Sequence, residues 1–360
     1  MLLDATDDVA VTRAALAAHH PPTGRITVHP APATHHQALA FDILAALGKP
    51  PDVPRGRQGQ AAWNTATAWI RALPVAQLTI LRTHLLNAES LSRLFALPER
   101  TGVHLVAVCH TRHPPAAIRT ALRHIEHHTI SRDDAAAGDL LTPAPQTAPP
   151  HREADGRWIT VPALAYLAFH QNFPACHCTT PPPATRPYVP DRAYALDQIA
   201  HRLATRTASP RLAAALAIAV FTGAPTSQLH TVHYNHFDAA ASTLTLHDRY
   251  GTRRHGLATN CHTYTVPAWA HPFLRAAAQL HSSPRGDGLL LPHQPRTLPT
   301  LTDFAEHCRL RPPQPTPPQH PLTRRTETKT AGSSKTQWYD GYLPPSFEAV
   351  SYEQWLRPAG

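Results

Sequence analysis

The sequence predicts an α/β amino-terminal domain built on a parallel sheet, followed by a mainly α carboxyl-terminal domain with a small β-hairpin. Three observations carry this. Residues 1–133 alternate short β-rich runs with helix-like stretches, the order that produces parallel βαβ units. Beyond residue 190, apolar positions recur at helical spacing and are interrupted by one pair of short strands around a polar turn. Between the two lies a Pro-, Ala- and Thr-rich stretch of linker composition. The expected division is an α/β domain over 1–133, a proline-rich linker with a short helix over 134–189, a helical core over 190–300, and a Pro/Arg-rich, partly disordered tail over 301–360.

The elements follow in order. Residues 24–29 form a β-rich run ended by Pro30. Residues 35–47 place Ala38, Leu39, Phe41, Leu44 and Leu47 at helical spacing, and Gly48 stands at the stop. After a Pro/Gly/Arg loop through Gly59, residues 61–73 read as a second helix, with Trp63 and Trp69 as core side chains. Apolar strands are expected over 75–81 and 103–109, separated by a helix over 89–97 with Leu91, Leu94 and Leu97 on one face. The linker contains a short helical stretch over 161–170. Helices are then expected over 192–202, from Arg211 onward, and over 267–280 with proline at its first position. Strands over 242–247 and 263–266 form the hairpin.

Charge and composition narrow the function. The 360 residues carry 33 basic and 24 acidic side chains, a formal net charge of +9, and arginine supplies 30 of the basic ones. Residues 1–150 hold 13 basic and 11 acidic groups, whereas residues 151–360 hold 20 and 13. A positive excess confined to one half is the footprint of an anionic partner, most commonly nucleic acid. The longest apolar run, 212–221, has ten residues, where a membrane span needs about 20, so no membrane partner is expected. Early acids in place of a basic n-region speak against a secretory signal. Five irregularly spaced cysteines (Cys109, Cys176, Cys178, Cys261, Cys308) speak against a disulfide scaffold. A cytoplasmic location is the expectation.

The run Leu78-Thr79-Ile80-Leu81-Arg82-Thr83-His84, with the helix and strand after it, resembles the corresponding part of an AAA-type nucleotide-binding core. In that family the strand ends in an acidic pair; here Arg82 and Thr83 occupy those positions. The phosphate loop G-x-x-x-x-G-K-[ST] is missing, and Gly48-Lys49, the one Gly-Lys pair, follows a helix instead of a strand. The resemblance therefore implies a degenerate nucleotide-binding-like domain over 1–133, without ATP chemistry and without a cofactor.

A second resemblance covers residues 212–291. Phe221-Thr222-Gly223-Ala224-Pro225-Thr226-Ser227-Gln228-Leu229 resembles the first conserved box of tyrosine recombinases, the phage-integrase family, which reads Thr-Gly-(Ala/Leu)-Arg-x-Ser-Glu-Leu after an apolar helix. Val232-His233-Tyr234-Asn235-His236-Phe237-Asp238 and Thr243-Leu244-Thr245-Leu246 stand where that family has its next motif and strand. The resemblance implies an integrase-like core over 190–300. Its catalytic set is lost: Pro225 replaces the first arginine, Gln228 the glutamate, and no lysine occurs in the hairpin region. His320-Pro321-Leu322-Thr323-Arg324-Arg325 is out of register with the His-x-x-Arg box, and nothing selects among Tyr339, Tyr342 and Tyr352 as a nucleophile. No catalytic residue is expected.

The DNA-binding candidates are Arg249, Arg253, Arg254, Arg324 and Arg325, since guanidinium groups match backbone phosphates bidentately. Cys176-His177-Cys178 lacks the spacing of a zinc site, and no metal is expected. His19-His20, His35-His36 and His127-His128 read as solvated residues of a histidine-rich chain. The functional expectation is a non-catalytic DNA-binding protein, accessory to a mobile element, with a protein partner in addition to DNA. The alternatives are a divergent integrase that still performs DNA recombination, a protein-interaction scaffold without a nucleic-acid role, and a decayed product without activity. A suicide DNA substrate separates the first of these from the rest, and a salt-dependent binding assay separates the second.

Overall fold

Apolar runs too short to stand alone are stacked side by side in the first half of the chain. The computed structural model describes residues 1–30, 36–50, 58–131, 140–142, 156–167, 184–185, 193–230, 232–247, 261–281 and 301–313. Strands β1 (Leu2–Leu3), β2 (Arg25–Val28), β3 (Gln77–Ile80), β4 (His104–Cys109) and β5 (Ile130–Ser131) form one sheet in the order β2-β3-β4-β1-β5, every pair parallel. The expected parallel α/β region is present.

Helices α1 (Val9–Ala17), α2 (His36–Ala46), α3 (Gln58–Ala72), α4 (Ala88–Phe95), α5 (Leu97–Thr101) and α6 (Ala116–Leu122) connect and cover these strands. Alternate residues of β4 take opposite sides. Val106 and Val108 pack with Val11 and Ala15 of α1, whereas Ala107 and Cys109 pack with Leu91 and Phe95 of α4 and Ile118 and Leu122 of α6. A strand buried on both faces reads as a continuous apolar run, which is why β4 was plain in the sequence.

Several element boundaries differ from expectation, among them the helix expected over 192–202, which runs Ala193–Arg206, and the short helical stretch expected over 161–170, which is a 3-10 helix over Pro162–Tyr166. Helix α3 starts at Gln58, three residues early. The helix expected over 89–97 is two helices, because Pro98 has no N–H to continue the ladder, and it opens α5 instead. The helix expected from Pro267 begins as a 3-10 turn, Ala268–Ala270, and the α-helix proper follows it.

In the second half, α7 (Ala193–Arg206) and α8 (Pro210–Thr222) are followed by the short α9 (Thr226–Leu229). Strands β7 (Ala184–Thr185), β8 (Phe237–Asp238), β9 (Thr243–Leu246) and β10 (His262–Thr265) form a four-stranded sheet in the order β7-β10-β9-β8. The pairs β8/β9 and β9/β10 are antiparallel, so the expected hairpin lies inside a larger sheet. Helix α10 (His271–His281) and helix α11 (Leu301–His307) come next, and β6 (Ile159–Thr160) pairs with β11 (Leu310–Arg311).

Met1–Pro312 forms one compact unit. Within it one apolar core runs through both halves, from Ile26 and Trp69 to Phe221 and Phe273. Helix α8 is its centre, with all of Leu212–Phe221 buried. Val161, Ala163, Leu164 and Leu167, from the segment of linker composition, are buried in it, as are Leu301, Phe304 and Ala305 from the start of the proline-rich tail. The tail beyond residue 313 lies outside the described residues.

Candidate functional site at the carboxyl edge of the parallel sheet

In an open parallel sheet every strand ends on the same edge, and ligands bind where neighbouring strands send their connections to opposite faces. Strands β1 and β4 meet this condition, since β1 leads into α1 and β4 into α6, on opposite faces of the sheet. Their in-register pairing, Leu3 opposite Cys109, brings the next residues of each strand, Asp4 and His110, side by side.

Asp4 is fully buried. Its Oδ2 accepts from the Asp8 amide at 2.8 Å and from His110 Nδ1 at 2.9 Å, and its Oδ1 accepts from Thr6 Oγ1 at 3.2 Å. Asp8 caps α1 by accepting from the Ala10 amide, which orients the helix start towards this edge. Asp7 Oδ1 lies 3.2 Å from His110 Nδ1 and 3.6 Å from Arg82 Nη2. Asp7 and Arg82 both take left-handed backbone conformations, with φ of 50° and 52°. Few non-glycine residues do so, and a long side chain such as arginine does so at a cost.

His84 completes the group. Its Nδ1 accepts from the His110 amide at 3.3 Å, and the two rings meet edge to face at 6.0 Å. Burial lowers its pKa, the His110 and Arg82 charges add to the effect, and Asp7 opposes it, so His84 is a neutral imidazole at pH 7. Thr83 is buried and donates to the Val108 carbonyl, fixing the β3 terminus against β4. Among the described residues, the donor atoms of Asp4, Asp7 and His110 all lie within 4.8 Å of one another. Two carboxylates and an imidazole in that space can hold a cation or orient a proton donor.

Sequence reasoning passed over these three residues. Asp4 and Asp7 enter the sequence reading only as early acids that speak against a secretory signal, and His110 does not enter it at all. The usable signal was position, and it existed for His110 alone, which directly follows the apolar strand expected over 103–109.

The sequence-derived site residues are not among those the structure describes. Arg249, Arg253, Arg254, Arg324 and Arg325 are outside the described residues, as are Tyr339, Tyr342, Tyr352 and Cys176-His177-Cys178. The strands flanking the first three arginines are described: β9 and β10 pair with Leu246 opposite His262, so the connection 247–261 leaves from one end of the hairpin. His236 and His247 stand at that end with ring centroids 4.4 Å apart, and His233 lies 5.4 Å from His236. Burial, with the charges of His247 and His233, pushes His236 down to about 4. Burial, with the charge of His233, lowers His247 as well. Both are uncharged at neutral pH.

Pro225 is the N-cap of α9, with its carbonyl accepting from the Gln228 and Leu229 amides. Gly223 ends α8 at φ 72°, and Thr226 donates through both its amide and its hydroxyl to the Leu167 carbonyl. Of the paired histidines expected to be solvated, His19 instead accepts from the Thr27 amide at 3.0 Å, tying α1 to β2. No helix among the described residues is long and apolar enough to cross a membrane. The chain matches no family model, no curated protein and no solved structure.

Proposed function

We propose that this protein binds duplex DNA without cutting it, through a carboxyl-terminal half of tyrosine-recombinase type that has lost its catalytic set. The observation that carries the reading is the hairpin register. With Leu246 opposite His262, a connection bearing Arg249, Arg253 and Arg254 is anchored at both ends by paired strands. The order of elements around it supports the same reading. A buried helix stops at a left-handed glycine, a one-turn helix follows, and antiparallel strands lead to another helix, as the resemblance to the recombinase core implies. His236 and His247, uncharged at neutral pH, add no positive charge of their own where the strands end. Proline at 225 donates no hydrogen bond to a phosphate, which is why the activity proposed is binding alone.

The test is a titration of the full chain against one labelled duplex at several salt concentrations, beside a variant with Arg249, Arg253 and Arg254 all changed to alanine. Each phosphate contact contributes about −0.9 to the slope of log affinity against log salt. The triple variant should therefore flatten the slope by up to about 2.7 and weaken different sequences alike. Changing Arg324 and Arg325 instead should remove up to about 1.8. Coincident curves for wild type and triple variant, or no wild-type binding at low salt, would overturn the reading in favour of a protein-interaction scaffold.

A further inference from the structure

The two-stranded ribbon β6/β11 has an apolar face and a basic, aromatic one. In this parallel pair Ile159 stands opposite Leu310 and Thr160 opposite Arg311. Ile159, Val161 and Leu310 pack into the apolar core. Alternation along the strands therefore sends Trp158, Thr160 and Arg311 to the outer face. Trp158 is 47% exposed, whereas Trp63 and Trp69 are buried. Arg309 Nη1 donates to the Gly156 carbonyl, which holds its guanidinium beside the entry to β6, and Arg157 is exposed at the same end.

The charge of this face is not neutralised from within. Among the described residues no carboxylate pairs with Arg157, Arg309 or Arg311, and Arg311 Nε is buried without a hydrogen-bond partner. Glu306, the carboxylate residue nearest to Arg309 along the chain, meets it through its backbone carbonyl, which accepts from the Arg309 amide at 2.7 Å. A guanidinium without a carboxylate is free to clamp a phosphate, and an exposed indole is free to stack on a flat ring. The ribbon is also held firmly. Arg202, itself buried, donates to the carbonyls of Arg157, Cys308 and Arg309, so little ordering entropy is lost when a partner docks.

The partner that fits carries flat rings and negative charge on one chain. A duplex hides the faces of its bases in the stack, whereas an unpaired strand presents base and phosphate together. An acidic peptide matches the arginines but gives the indole no ring to stack on. We propose that this face binds single-stranded DNA, with a base stacked on Trp158 and phosphates held by Arg157, Arg309 and Arg311. DNA as the source of the strand rests on the DNA-binding reading above; the residues are different from those of the connection 247–261.

The experiment titrates the full chain, by fluorescence anisotropy at low salt, against a labelled oligothymidylate, an oligouridylate of the same length and a labelled duplex. The wild type should bind the oligothymidylate. Trp158→Ala should weaken that binding roughly tenfold or more and leave duplex binding and the unfolding midpoint unchanged. Trp158→Phe, which keeps a ring, should restore most of the affinity. Changing Arg157 and Arg311 together to alanine should flatten the salt dependence by up to about 1.4, at about 0.7 for each single-strand contact. Absence of wild-type binding overturns the proposal, as does equal binding by Trp158→Ala or an equal loss of duplex binding in that variant. Displacement by polyglutamate at equal charge overturns it in favour of an acidic protein, and tighter binding of oligouridylate overturns DNA as the source. The variant lacking Arg249, Arg253 and Arg254 should keep its single-strand affinity, so this proposal and the duplex reading fail separately.

Discussion

Lys49 Nζ stands 3.8 Å from the centre of the Trp69 ring and donates to the Ala204 carbonyl at 2.8 Å. Trp69 Nε1 in turn donates to the Ala208 carbonyl, also at 2.8 Å. Two side chains of the α/β half thus hold the last turn of α7 and the residues after it. The ring of Trp69 also meets Phe273 of α10 edge to face at 6.2 Å. The carbonyls at a helix end carry partial negative charge, which suits an ammonium group. Burial opposes that charge more strongly and pushes Lys49 down to about 7.

This arrangement makes stability depend on pH with a defined sign. Between about 7 and the ordinary 10.5, the unfolded chain holds a proton on Lys49 that the folded chain does not. Stability contributed at this position therefore rises with pH across that window and is lost below it. Lys49→Met, which cannot titrate, should gain most relative to wild type near pH 7. The advantage should shrink by up to roughly 1.4 kcal/mol per pH unit as pH rises towards 10. Urea unfolding of both proteins at several pH values checks this, and a constant difference would refute it.

Arg202 is a second buried cation with a structural task. Its guanidinium donates to the carbonyls of Arg157, Cys308 and Arg309, bringing together the chain before β6 and the chain leading into β11. Arg202→Met should cost about 3–5 kcal/mol, the range found when one side of a buried charged group's interactions is removed. Arg202→Lys should recover only part of it, since a single ammonium does not reproduce a planar fork. Chemical denaturation of the three proteins gives the comparison.

The turn between β1 and α1 bears on nucleotide chemistry. A phosphate loop occupies such a strand–loop–helix junction with glycines and a lysine; here the junction reads Asp4-Ala5-Thr6-Asp7-Asp8. Carboxylates repel phosphate where backbone amides and lysine would hold it. No magnesium-dependent ATP or GTP turnover should be seen in a coupled assay, and chelator-sensitive turnover above a buffer blank would contradict this.

The recombinase-like box leads to a further expectation. Removing one charged donor from a phosphate-transfer site costs about 3–4 kcal/mol, a hundredfold or more in rate, and here Pro225 replaces an arginine. Suicide DNA substrates should yield no denaturant-resistant protein–DNA adduct. An adduct that disappears when Tyr339, Tyr342 or Tyr352 is changed to phenylalanine would reverse the conclusion.

The elements legible in the sequence were those whose own residues carry the pattern. Strand β4 is apolar on both faces, α2 ends at Gly48 and α8 at Gly223, and Trp63 and Trp69 lie in the core. Strands β1 and β5 have two residues each, too few for any period to appear, and they exist because β4 and β1 offer them open edges to pair with. Helix α1 gave little signal because it buries only Val11 and Ala15 and leaves Val9 and Leu16 exposed. The candidate site has the same origin. Asp4 and His110 are 106 residues apart and become neighbours only when β1 inserts beside β4. Sequence alone determines which side chains can carry charge or bind a metal; the pairing of distant strands decides which of them meet, because strand order is set by non-local hydrogen bonds and packing.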